Sequence, residues 1–319
     1  MNFLRKNTSK EYDQFVMSYK AFDWECVEIK DSEETTNNII NSYIRFYYVY
    51  ELLKKIFLNK SKVKVMDVGP YPGGMVMLLK HFFGDRSKYL GTGLGFSEDY
   101  KLTMSALGVE LAEIEMDQNF CKIHSIEDLG VKNLSKFDNV DCVLFLDMIE
   151  HLTDPVAALD LINSKMNTDG ELIITTDNIT SLGYVAHMIH TGCSPNTHPI
   201  RSALIFQGLW RPHYREYSKK ELMFYLDYCG FELVSHQYFN REQGNYSFSK
   251  DGEIIYTPRF SFLSRVIKGV IKKILPHLKD HHVIHAKKKV DFSIQSSKRP
   301  QSTRDMNEWL DVRKQYGQL

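Results

Sequence analysis

Paired cysteines are missing from this 319-residue chain. Its five cysteines, Cys26, Cys121, Cys142, Cys193 and Cys229, are odd in number, scattered, and nowhere form CxxC. That pattern excludes a disulfide framework or a thiolate zinc site and reads as reduced thiols. An excess of charge is missing too, since 40 Lys+Arg balance 40 Asp+Glu. Without a global positive field to attract phosphates, no nucleic-acid partner is expected. No apolar run approaches the roughly 20 residues that span a bilayer. Residues 1–15 lack the apolar core of a secretion signal, so a cytoplasmic location is expected. Internal repeats are not visible. What is present is ordinary globular composition, 43% hydrophobic and 25% charged. The length suits one large domain or a domain with an insertion.

Residues 1–38 are polar with scattered aromatics, and a loose start is expected. Apolar residues at helical spacing predict a helix over 39–57. After it, strand and helix signals alternate. Strands are expected at 62–68, 89–94, 109–115, 140–146, 171–176, 231–238 and 282–287. Helices are expected at 75–83, at 155–166 with Asp154 as cap and Pro155 in the first turn, and at 218–229. The last of these has Ser218 as N-cap, Glu221 three residues on and Gly230 as its stop. Asp169-Gly170 reads as a turn. Such alternation implies a mostly parallel sheet with helices on both faces.

The first strand ends in Asp67-Val68-Gly69-Pro70-Tyr71-Pro72-Gly73-Gly74. Glycines let backbone approach a ligand closely, and in an open α/β sheet ligands bind at the carboxyl ends of strands. A dinucleotide pyrophosphate would prefer bare glycines and a helix N-terminus. A carboxylate at this turn suits S-adenosylmethionine (SAM) instead, which has no phosphate but carries a sulfonium and an α-amino group.

Taken with DMIEHLTDP (147–155), MNTDGELIITTDN (166–178) and HYREYSKKELMFYLDYCGFE (213–232), the glycine turn resembles class I SAM-dependent methyltransferases. The likeness extends over roughly 63–288, with its pieces in the family's order. The element His213, Arg215, Glu216, Tyr217, Ser218 is similar to a bacterial branch that modifies sugars, often in surface-polysaccharide or lipid-linked glycan pathways. The resemblance implies a Rossmann-like α/β fold: a seven-stranded, mostly parallel sheet whose last strand is antiparallel. It implies SAM as cofactor, contacted by Asp67, Gly69, Tyr71, Gly73 and Gly74, with Asp117 at the adenine and Asp147 near the methionine part. Three positions depart from the family pattern. Tyr71 stands where glycine is usual, Asp177 where proline is usual, and Gly93 where an acid binds the ribose. Glu98 or Asp99 is the candidate replacement for that acid.

Methyl transfer to a hydroxyl is an in-line displacement, helped by alignment in a dry cleft and by a base. His213 is the first candidate base and His151 the second. Arg215, Tyr217 and Asn178 are candidate substrate contacts. A structural ion cluster of His213, Arg215 and Glu216 is the alternative. His187, His190, His198 and Cys193 lack the spacing of a tetrahedral site, and no metal is expected.

The expected division is an N-terminal helical region (1–61), a methyltransferase domain (62–290) and a polar tail (291–319). Within the domain, 179–213 reads as a lid and 245–280 as an amphipathic insertion. Its segment 259–279 is basic, and 254–279 contains no acidic residue. Packing of its apolar face on the sheet edge or on a second copy in a homo-oligomer is the expected role, and peripheral membrane contact is the alternative. The expected acceptor is a sugar or glycan hydroxyl, less favourably an amine. A small-molecule acceptor outside glycan metabolism and a catalytically silent scaffold are the other readings.

Overall fold

The computed structural model describes residues 8–18, 42–58, 60–93, 95–114, 116, 137–193, 213–240, 244–248, 254–258 and 261–290. In chain order the described strands are β1 (Val63–Val68), β2 (Ser87–Gly93), β3 (Glu110–Glu113), β4 (Val140–Leu146), β5 (Met166–Asp177), β6 (Phe231–Phe239), β7 (Gly244–Phe248), β8 (Ile254–Pro258) and β9 (His281–Lys288). Seven form one sheet in the order β3-β2-β1-β4-β5-β9-β6, and β7 and β8 form a separate hairpin. Pairs from β3 through to β5 are parallel, while β9 runs antiparallel to both β5 and β6. The expected fold class is therefore the one observed.

Alternation along the central strands shows why both faces are covered. Val63 and Val65 of β1 join the core on one face, and Met66 and Val68 join the core on the other. In β4, Cys142 and Leu144 take the first side, and Val143 and Phe145 take the second. Successive strand side chains point to opposite faces, so a strand buried on both must be continuously apolar. The described helices are α1 (Lys10–Ser18), α2 (Tyr43–Leu58), α3 (Gly74–Phe83), α4 (Glu98–Ala106), α5 (Pro155–Lys165), α6 (Leu182–Thr191), α7 (Lys219–Tyr228) and α8 (Phe262–Ile274). Helices α1, α2 and α3 cover the first face, and α5 and α7 the second.

The caps behave as the sequence indicates. Asp154 accepts from Ala157 N at 2.9 Å, and Ser218 with Glu221 forms a reciprocal capping box. Such caps satisfy N–H groups that the first helical turn leaves without partners.

Four segments differ from expectation. The loose start contains α1, whose Tyr12, Phe15 and Val16 are buried. Tyr12 stacks on Tyr50 of α2, and Phe15 packs on Phe82 of α3. Aromatic burial of that extent outweighs the polar composition around it. The expected turn at Asp169-Gly170 lies inside β5, where the register jumps from Val140↔Met166 to Cys142↔Glu171. The insertion between β6 and β9 contains the β7–β8 hairpin as well as a helix. That helix, α8, does not lay its apolar stripe on the sheet edge. Val266, Ile267, Val270 and Ile274 are 45%, 51%, 53% and 71% exposed. Lys272, on the opposite side, is buried against Asp280 at 2.6 Å. Among the described residues, no helix is long and apolar enough to cross a membrane. Asp117, His198, most of the lid (194–212) and the tail (291–319) lie outside the described residues.

Candidate active site

The chain winds outward from β1 through β2 to β3, then restarts on the other side at β4. This switch opens a crevice at the carboxyl ends of β1 and β4. Asp67, near the end of β1, is buried and accepts a hydrogen bond from the Tyr89 hydroxyl. Burial pushes its carboxyl up to about 7, although the Tyr89 bond and the Arg45 charge pull the other way. Burial and the neighbouring Asp67 likewise push the Tyr89 phenol well above its usual range.

The turn that follows needs glycine at two positions. Gly69 has φ +80°, and its N–H donates to Thr92 O at 2.7 Å. A Cβ there would lie 2.6 Å from Met148 Sδ. Gly73 has φ +102° and stands as N-cap of α3 with no side-chain cap. Tyr71 is exposed at the rim, its ring 5.2 Å from that of Tyr100. Tyr100 in turn donates to Pro70 O at 3.1 Å.

Asp147 follows β4 with φ +50°. Its N–H donates to Thr175 O at 2.9 Å, and its Oδ1 accepts from Thr175 Oγ1 at 2.7 Å. Its Oδ2 forms an ion pair with Arg45 of α2, which also donates to Ser42 Oγ at 2.7 Å. Arg45 was not singled out in the sequence. Its signal is slight: one cation in the first turns of an aromatic helix.

At the end of β2, a Cβ on Gly93 would lie 2.9 Å from the Phe96 ring. Glu98 is turned to Lys101 at 2.9 Å, and Lys101 also holds Glu113 at 3.0 Å. Asp99 sits in the first turn of α4.

A second group of side chains gathers beyond Asp147. Consecutive residues at the end of β5 tie it to the first: Thr175 holds Asp147, Thr176 Oγ1 donates to Glu150 Oε2 at 2.8 Å, and Asp177 meets two histidines. Asp177 pairs with His281 Nδ1 at 2.6 Å and lies 3.6 Å from His213 Nδ1. His213 Nδ1 also lies 3.2 Å from Glu216 Oε1, and its ring meets that of His151 edge-on at 4.6 Å. Burial alone would lower the His213 pKa, but the Glu216 bond and the charges of Glu150, Asp177 and Glu216 raise it overall. Glu150 is fully buried, and that desolvation, with the Asp177 charge, pushes its carboxyl up to about 7. Among the described residues, Glu150, His151 and His213 each offer a ligand atom within 4.8 Å of the others.

The remaining candidates make internal bonds. Asn178 is buried and donates to His277 O and Lys279 O, both at 2.7 Å. Tyr217 is buried and donates to Ile149 O at 3.3 Å. Arg215 pairs with Glu221 and lies 5.5 Å over the Tyr217 ring. The structure thus brings together His213 and His151, and separately Asp67, Gly69, Gly73, Gly74 and Asp147. Arg45, which the sequence did not point to, completes the first group, and Glu150, Asp177 and Glu216, none of them a candidate site residue from the sequence, complete the second.

The first group fits SAM. Two carboxylates suit a sulfonium and an α-ammonium, a guanidinium suits an α-carboxylate, and the side-chain-free cradle at Gly69 admits a close approach. Comparison with known proteins identifies the family. Residues 42–236 match the family described as "Methyltransferase domain". No curated protein sequence matches the chain. Among solved structures, a SAM-dependent methyltransferase from Archaeoglobus fulgidus is 21% identical over 79% of this chain and 94% of that one, with TM-score 0.44. A second, from Mesorhizobium loti, is 12% identical over 75% and 96%, TM-score 0.42. The 1,6-didemethyltoxoflavin-N1-methyltransferase of Burkholderia thailandensis, solved with S-adenosylhomocysteine, is 12% identical over 88% and 89%, TM-score 0.44.

Proposed function

The chain belongs to the methyltransferase-domain family, and on that premise we propose that it methylates a hydroxyl of a sugar or lipid-linked glycan, with an amine as the lesser alternative. It is a SAM-dependent methyltransferase. SAM supplies an electrophilic methyl group on a sulfonium. Asp67, Asp147 and Arg45 would hold its charged ends, the Gly69–Gly74 turn its backbone-facing side, and Tyr71 the rim, with Asp117 at the adenine.

The observation that carries the acceptor reading is the Glu150–His151–Asp177–His213–Glu216 group, one strand end away from the SAM cradle. Carboxylates and imidazoles can hydrogen-bond an acceptor hydroxyl, a contact that an apolar acceptor cannot return. His213, with His151 across from it, stands at the acceptor oxygen and eases loss of its proton. Glu216 and Asp177 orient His213. Asn178, Arg215 and Tyr217, proposed from the sequence as substrate contacts, act in this reading through the walls they brace. The test is kinetic: His213→Ala lowers turnover with the acceptor about 10²–10⁴-fold and leaves SAM affinity within a factor of two. Unchanged turnover would remove His213 from the acceptor end.

A second observation bears on where the acceptor is found. The outward apolar stripe of α8 lies in a stretch, 254–279, with six Lys and Arg and no acid. An anionic membrane surface is the occupant this pattern fits. Asn178 bonds the chain just after α8 at His277 and Lys279, so a docked helix would hold the acceptor group near the lipid headgroups. The pattern supports a role in surface-polysaccharide assembly at the cytoplasmic face of a membrane. Sedimentation with anionic vesicles should fall as salt rises and fall again in Val270→Glu. A dimer by analytical ultracentrifugation, with no vesicle binding, would assign the stripe to a homo-oligomer instead.

A further inference from the structure

We infer that Glu150, His151 and His213 form a binding site for one borderline divalent transition-metal ion, of the Zn2+, Mn2+ or Fe2+ class. The three side chains come from two separate stretches of chain, the turn after β4 and the segment leading into α7. Backbone bonds lock the stretches together, with Tyr214 N and Arg215 N both donating to Glu150 O, at 2.8 and 3.3 Å. The result is one carboxylate oxygen and two imidazole nitrogens within 4.8 Å of one another. One carboxylate with two imidazoles is a donor set for borderline dications, and it leaves coordination positions open; magnesium and calcium prefer all-oxygen sets.

The surroundings are arranged as an outer shell around such an ion. A metal-binding imidazole characteristically donates its other ring N–H to a carboxylate, which fixes the tautomer. Glu216 Oε1 accepts from His213 Nδ1, so the lone pair left for an ion is on Nε2. The Thr176 hydroxyl fixes the Glu150 carboxylate in the same way. Three carboxylates, Glu150, Asp177 and Glu216, are buried around the group. Among the described residues, Glu216 Oε2 is buried without a hydrogen-bond partner. Burying carboxylates close together is costly, and a dication would offset that cost.

The consequence for the reaction rests on the reading that this group is the acceptor end. An acceptor hydroxyl entering an open coordination position would have its pKa lowered by the ion, which assists its ionisation without requiring an imidazole to carry the proton. Binding of the ion does not depend on that reading.

The test uses the full chain stripped with a chelator, without acceptor. Mn2+ is titrated in by electron paramagnetic resonance and Zn2+ by calorimetry, with Mg2+ as comparison. One Mn2+ or Zn2+ per chain is expected, and Mg2+ should bind far more weakly. His151→Ala and His213→Ala should each weaken binding at least about tenfold, and Glu150→Gln by a similar factor. His190→Ala, on the exposed end of α6, should leave it unchanged. Because Glu150 is buried and its variant can misfold, the two histidine variants decide the matter, with circular dichroism reporting their fold. No stoichiometric binding to the wild type, or binding undiminished in both histidine variants, overturns the site. Failure of sugar methylation with the ion still bound would count against the acceptor reading alone.

Discussion

SAM binding should release protons near neutral pH, and Asp67 is the reason. Its carboxyl is buried beneath the glycine turn and held up to about 7, from an ordinary value of 3.8. At pH 7 about half of the molecules therefore carry a proton there. A cation bound against Asp67 requires the carboxylate, so affinity should follow the ionised fraction. Between pH 7.5 and pH 5.5 that fraction falls about 25-fold, and the dissociation constant for SAM should rise by the same factor. Calorimetry at pH 7 in two buffers of different ionisation enthalpy should report about half a proton released per SAM. Asp67→Asn should abolish the release and flatten the pH dependence. Stability moves in the opposite direction. A raised carboxyl favours the folded state most below its unfolded pKa, and that contribution is lost as pH rises from about 4 to about 7, by roughly 4 kcal/mol. SAM affinity that stays constant from pH 5.5 to 7.5, with no proton release, would refute the placement of Asp67 against the cation.

Three more perturbations separate cradle from scaffold. Gly69→Ala puts a Cβ 2.6 Å from Met148 Sδ at φ +80°, and denaturant unfolding should show at least the ~1–2 kcal/mol cost of that conformation; an unshifted midpoint would show that the turn tolerates a side chain. Arg45→Met removes the guanidinium held by Asp147 and Ser42, and SAM affinity should fall about tenfold or more in a folded protein; unchanged affinity would confine Arg45 to a structural role. Asn178→Ala strips two donated bonds from a buried side chain, so stability should drop by about 2–3 kcal/mol, whereas a raised acceptor KM with no loss of stability would restore the substrate role proposed from the sequence.

Local chemistry was legible in the sequence, and long-range pairing was not. The apolar continuity of β4, the cap at Asp154 and the Ser218–Glu221 box are written within a few residues, so the elements were found nearly in place. Asp67 and its glycines were legible for the same reason: one turn must supply close approach and charge together. Arg45 meets Asp147 across 102 residues of chain, and Glu171 meets His285 across 114. Such pairs are set by strand order and register, which periodicity does not reveal. Asp177 was marked as atypical where proline is usual. Its reason became visible only when the register of β5 against β9 placed it beside His281. Helix α8 shows the converse limit: its amphipathic pattern was plain, but not which stripe faces the sheet. The buried Lys272–Asp280 pair decides that, turning the apolar stripe outward.

The most direct measurement is transfer itself. Purified protein, SAM carrying an isotopically labelled methyl group, and a panel of nucleotide sugars, lipid-linked glycans and small non-sugar hydroxyls and amines are incubated together and read by mass spectrometry. The account predicts labelled methyl on a sugar hydroxyl, with one S-adenosylhomocysteine formed per methyl and both lost in His213→Ala. Label confined to the non-sugar compounds would contradict the acceptor assignment. Neither product nor S-adenosylhomocysteine across the panel, from protein that binds SAM, would favour a silent scaffold.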